Sequence, residues 1–161
     1  MNNEKNKDHG KDNESNGVVT LDSLTGTKWR LVGIVNAQTG ALEKIVPREV
    51  KYINNYEMED GEPMDCEKCY TLVFDSESTA QGWSVSNNIY VSFFEPLKSS
   101  SINIYFSKTP DYRSTLVLEP PTPSRYLDAF DNLTSYICYN NELKLYYNNN
   151  KNYLLYKLIQ S

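Results

Sequence analysis

A run of short alternating segments extends from Trp29 to Ile159, broken by asparagine turns and by one amphipathic helical stretch. Period-two alternation puts every second side chain on the same face, so such segments read as half-buried strands. Strands joined by short turns must be antiparallel neighbours. About eight to ten of them are too many for one open sheet in a small domain, which favours closure. The expected fold class is therefore all-β: an antiparallel meander closed into a barrel of about eight strands, with one short helix.

The segments differ in clarity. Thr27 to Asn36 opens the domain, with Trp29, Leu31, Gly33 and Val35 on one face, and Ala41 to Val46 reads as a return strand ended by Pro47. Arg48 to Glu67 is dense in acids and reads as a long loop with one helical turn at most. Beyond Cys69, Tyr70, Leu72 and Phe74 share a face. Thr79 to Ser86 and Ile89 to Phe94 then flank Asn87-Asn88, a pair that tolerates the positive φ of a tight hairpin. Ile102, Ile104 and Phe106 alternate, and Leu116 to Leu118 reads as a short strand. Thr122-Pro123 carries a helix-start signature, a hydroxyl cap before proline at the first helical position. The helix is expected over Pro123 to Asn132, with Tyr126, Leu127, Phe130 and Leu133 on its apolar face. Thr134 to Tyr139, Glu142 to Tyr147 and Asn152 to Ile159 close the fold, connected by Asn140-Asn141 and Asn148-Asn149-Asn150.

Charge and composition narrow the function classes. The 161 residues carry a formal net charge of -5 and no cluster of Lys and Arg, so a nucleic-acid partner is not expected. An anionic membrane surface is disfavoured on the same ground. No apolar stretch approaches the roughly 18 residues that span a bilayer, so no transmembrane segment is expected. Residues 1–20 are rich in Asn, Lys, Asp, Glu and Gly and cannot bury enough surface to offset chain entropy. They read as a disordered tether, and 21–161 as one barrel domain.

The residues at both ends of the barrel resemble a known group. Leu24-Thr25-Gly26-Thr27-Lys28-Trp29-Arg30-Leu31 is similar to the opening "L-x-G-T-x-W-x-L" of META-type, lipocalin-like bacterial envelope domains. Phe74-Asp75 to Gly82, with Ser86-Asn87-Asn88-Ile89-Tyr90, resembles that group's "f-x-G-x-x-x-N-x-Y" hairpin. Similar too are the helix holding Tyr126, Leu127 and Phe130, then Tyr136, Leu143-Lys144-Leu145 and Leu154-Leu155-Tyr156. The resemblance implies a calycin-like barrel, exported to the envelope and often lipid-anchored in bacteria of the Bacteroides type. Ser86 stands where META domains commonly have a cysteine, and no lipid-attachment cysteine precedes the domain. Anchoring would therefore need a precursor segment and its leader.

Few residues invite chemistry. The single histidine, His9, falls in the tether, which leaves no Ser–His–Asp, Cys–His or histidine-based zinc arrangement. No Gly-rich phosphate loop is present, and no cofactor is expected. Cys66-x-x-Cys69 lies in an acidic loop, where Asp65 and Glu67 disfavour a redox thiolate. In an oxidising envelope, a short disulfide between Cys66 and Cys69 would clamp the loop. Bridging of one of them by Cys138, and three reduced thiols, are the competing arrangements. The acids from Glu57 to Glu67 lack the ladder of a calcium loop, so no metal site is expected.

The aromatics offer the remaining surface. There are 13 tyrosines, and they fall on both faces of the closing strands, so outward ones could form a platform for a glycan or protein. Trp29 is expected to plug one end of the barrel. Trp83, Phe74, Tyr126 and Phe130 are candidates to line a cavity. The expected function is a non-enzymatic, monomeric envelope module that binds an unidentified small ligand, glycan or envelope protein. The alternative is a lipocalin-type carrier holding a small apolar molecule inside the barrel.

Overall fold

Strand β1 (Lys28–Asn36) is the hub of the sheet, because three other strands pair with it. The computed structural model describes residues 23–99 and 101–160. The expected tether and His9 lie outside them. After β1 come β2 (Leu42–Lys44), β3 (Arg48–Tyr52), β4 (Met58–Pro63), β5 (Thr71–Phe74), β6 (Thr79–Trp83), β7 (Asn88–Ser92), β8 (Ser101–Tyr105) and β9 (Asp111–Ser114). Helix α1 (Pro121–Asp128) and a 3-10 turn (Ala129–Asn132) follow, then β10 (Leu133–Tyr139), β11 (Glu142–Tyr147) and β12 (Asn152–Leu158).

Ten strands form one antiparallel sheet in the order β8-β10-β11-β12-β1-β5-β6-β7-β9, with β2 on β1 beside this path. The sheet curls into an open half-barrel. Its end strands, β8 and β9, share no ladder, so the backbone circuit is open among the described residues. Side chains occupy the interior instead. Phe93, after β7, meets Phe106, after β8, at 5.6 Å between ring centroids, and Phe106 stacks on Tyr136 of β10 at 5.5 Å.

A bulge between Leu31 and Gly33 changes the inward set on β1. Trp29 and Leu31 point inward before it, and Ile34, opposite the buried Leu154, takes over after it. The expected alternation through Gly33 and Val35 fails there because one extra residue reverses the faces. Gly33 serves a different purpose. A Cβ on it would lie 2.1 Å from the Glu43 carbonyl oxygen, so only glycine lets β2 approach.

The segment expected as a long loop, Arg48 to Glu67, contains a separate hairpin of β3 and β4. Neither strand buries a continuous face, so no hydrophobic period marks it. Leu116 to Leu118 is not a strand; β9 precedes it, and Leu116 is 95% exposed. The asparagine connections divide. Asn140, Asn141, Asn148, Asn149 and Asn150 all adopt positive φ, as a tight hairpin favours, whereas Asn87 and Asn88 do not.

Helix α1 starts at Pro121, after Pro120 as N-cap, and no side chain caps it. Thr122, the expected cap, donates instead to the Asp60 carboxylate of β4 at 2.6 Å. Pro123, Tyr126, Ala129 and Phe130 form the buried face of the helix and its 3-10 extension. Tyr126 meets Tyr70 and Phe130 edge-on at 5.1 and 5.4 Å. Trp29, Phe74, Tyr126, Phe130, Tyr136 and Tyr156 are all fully buried. Each such ring contributes about 1.5–3 kcal/mol relative to exposure.

Candidate functional site

The candidate cavity residues divide between two faces of the sheet. Trp29, Phe74, Tyr126 and Phe130 are 0% exposed and belong to the core. None of them lines a described cavity. Trp83 is half-buried and lies on the opposite, outer face, because on β6 the inward positions are Ala80 and Gly82. Gly82 sits under Leu72, and a Cβ there would meet the Thr71 carbonyl oxygen at 2.3 Å. Cys66 and Cys69 form a disulfide with a Cα separation of 5.4 Å, while Cys138 is a buried thiol of β10.

Trp83 borders an outward cleft of about 570 Å3. Registry explains its composition. Lys28 and Arg30 of β1 oppose Val73 and Thr71 of β5, and Thr71 opposes Trp83 of β6. Residues directly opposite share a face, so the outward cations of β1, Val73 and the indole line one surface. The loop before β5 adds Glu67 and Lys68, and Ile159 closes the far side. Three cations against one carboxylate make this cleft positive in a chain of net charge -5. Among the described residues, neither Lys28 nor Lys68 has a carboxylate within ion-pair distance. The Arg30 guanidinium donates to the Glu67 carbonyl at 2.8 Å. Glu67 lies between the two bridged cysteines, so the clamp fixes the acceptor that holds Arg30.

A second polar constellation occupies the β6–β7 connection. The Glu119 carboxylate accepts from Ser84 Oγ at 2.7 Å, from the backbone N–H groups of Val85 and Ser86 at 3.1 and 2.6 Å, and from Asn87 Nδ2 at 2.7 Å. Asn87 Oδ1 accepts from Thr115 Oγ1 and the Val117 N–H, both at 2.8 Å. These donors are all engaged by the carboxylate, so this site latches the irregular segment between β9 and α1 to the hairpin.

The chain is similar to a protein of Tannerella forsythia named "Putative lipoprotein". Identity is 29% over 134 residues, which cover 83% of this chain and 74% of that protein. No family model matches the chain, and no solved structure matches it.

Other titratable groups are shifted by burial and by hydrogen bonds. Tyr126 and Tyr156 share a hydroxyl–hydroxyl hydrogen bond of 2.6 Å inside the core. Burial raises both phenols well above their ordinary range. Burial raises Tyr70 too, with the Asp60 and Glu119 charges acting in the same direction. Arg125 of α1 holds the Glu43 carboxylate of β2 in a two-pronged pair at 3.0 and 2.5 Å, which lowers the carboxyl pKa. Among the described residues, no three His, Cys, Asp or Glu side chains converge. The exposed tyrosines Tyr52, Tyr56, Tyr90, Tyr105 and Tyr139 are carried by the β3–β4 hairpin, β7, β8 and β10. The half-buried Tyr146 and Tyr153 adjoin across β11 and β12, at 4.8 Å.

Lys28, Arg30 and Lys68 were not candidates from the sequence. The alternation of Lys28 and Arg30 with Trp29 and Leu31 already marks an outward basic pair. What alternation omits is the pairing of β1 with β5, which sets those cations beside Trp83.

Proposed function

We propose that this chain is a non-enzymatic binding module of the bacterial envelope, and that its binding surface is the outer cleft beside Trp83. The observation that carries the proposal is the contrast between the two faces. Inside, the aromatic rings are buried against one another; outside, a half-buried indole lies among cations of which Lys28 and Lys68 have, among the described residues, no carboxylate within ion-pair distance. A cleft of about 570 Å3 falls within the usual size range of small-ligand sites. The envelope location is supported by the name of the Tannerella relative. The curled antiparallel sheet, an open half-barrel, is compatible with a calycin-like, META-type relationship.

The carrier alternative draws less support, because Trp83 is separated by the sheet from Phe74, its intended companion. A thermal-shift screen over sugars, peptides and small acids, run in parallel on the wild type and Trp83→Ala, tests the proposal. A bound ligand raises the unfolding temperature by mass action, and the shift should vanish in the variant. A hit unaffected by the substitution, or an apolar molecule extracted from the native protein, would contradict it. Fractionation of cells should place the protein with membranes; recovery in the cytosolic fraction would remove the envelope half of the proposal.

A further inference from the structure

The geometry points to an acidic saccharide as the ligand of the outer cleft, one carboxylate or sulfate seated on Arg30 and Lys28 and a sugar face on Trp83. This rests on the reading of that cleft as the binding surface. The cleft lies over the middle of three paired strands, β1, β5 and β6, whose backbone groups already serve one another. An added peptide strand needs an unpaired edge, so recognition here must run through side chains alone. Those side chains are three cations against the single carboxylate of Glu67, and a flat aromatic surface, with Val73 and Ile159 as apolar flanks. The complementary ligand carries an anionic group and a flat, weakly polar face in one small unit. A ring sugar bearing an acid combines both.

Charge sets the ligand's size. The cleft is locally positive, but the chain as a whole is negative. Local cations dominate within a Debye length of about 8 Å at physiological ionic strength, whereas a long polyanion would also meet the acidic remainder. A mono- or disaccharide with one or two charges fits both conditions.

The disulfide enters as a positioning device. Arg30 donates to the carbonyl of Glu67, inside the Cys66–Cys69 bridge, which fixes where the guanidinium points. Reduction frees that carbonyl without removing a ligand contact. Affinity should then fall while the fold remains.

The experiment is calorimetric titration of the full chain with digalacturonic acid, a sulfated disaccharide, a neutral disaccharide and a tetrapeptide of Asp and Glu. The expected result is saturable binding of an acidic disaccharide and none of the neutral sugar. Affinity should drop about tenfold or more in Arg30→Gln, as loss of a charge-assisted hydrogen bond implies, with Arg30→Lys intermediate. Trp83→Ala should weaken the same ligand, added salt should weaken it further, and reductant should weaken the wild type but not Arg30→Gln. Circular dichroism of each variant confirms that it is folded. Binding of the neutral sugar or the peptide through Arg30 and Trp83 would overturn the ligand class and leave the cleft as a binding surface. Acidic-sugar binding indifferent to both substitutions, or no binding by any probe, would overturn the proposal together with its site.

Discussion

Asn87 Nδ2 donates to Glu119 Oε1 at 2.7 Å, joining two residues 32 positions apart. Asn87 is only 1% exposed, and its amide also satisfies the Val117 carbonyl and accepts from Thr115 and Val117. Asn87→Ala strips these partners at once and should cost about 2–4 kcal/mol, because unsatisfied buried groups carry most of the penalty. Asn87→Asp should be at least as damaging, since it sets a second carboxylate against Glu119. Urea denaturation of the two variants checks both; a loss below about 1 kcal/mol in either would show that the latch is not formed.

The Cys66–Cys69 bridge closes a very short loop, with a sequence separation of 3. Chain-entropy reasoning assigns so short a loop about 2 kcal/mol or less. Reductant should therefore shift the denaturation midpoint only modestly and leave the circular dichroism of the sheet intact. Collapse of the fold on reduction would mean that the clamp holds more than its own loop.

Alkali should expose the core phenols. The folded-state pKa of Tyr126 and Tyr156 is raised by burial, so the native state holds these protons more tightly than the unfolded chain does. The stability they contribute is complete below the ordinary tyrosine value of about 10 and is lost as pH climbs from there through the raised values. Phenolate absorbance from Tyr126 and Tyr156 should appear only together with loss of circular dichroism. Smooth ionisation of every phenol in a folded protein would refute this.

Gly33→Ala tests the junction of β1 and β2. The added Cβ would lie 2.1 Å from the Glu43 carbonyl oxygen, so β2 must move. A cost of about 1–3 kcal/mol is expected, as for other overpacked sites. The Arg125–Glu43 pair should be lost with the strand, and Arg125→Gln should then add little to the Gly33→Ala cost. Full additivity of the two variants would contradict the coupling.

Much of the sheet was legible because its strands bury one face. Leu143, Leu145, Leu154 and Tyr156 alternate cleanly and are buried as alternation predicts. The β3–β4 hairpin escaped because it lacks a buried face, so backbone pairing alone defines it. The Leu31–Gly33 bulge escaped because an inserted residue reverses alternation without a compositional mark. The same limits apply to the cleft. Trp83 was visible as an ambiguous aromatic, but its face depends on Gly82 lying under Leu72. Its basic neighbours depend on which strand lies beside β1, a long-range choice that local periodicity does not encode.

The measurement that bears most directly on the account is mapping of tryptophan oxidation in the native protein by peptide mass spectrometry. Trp83, half-buried and bordering the outer cleft, should be modified before Trp29, which at 0% exposure should stay intact until unfolding. Equal modification of both, or Trp29 first, would mean an open interior and would contradict a solid core with its binding surface outside.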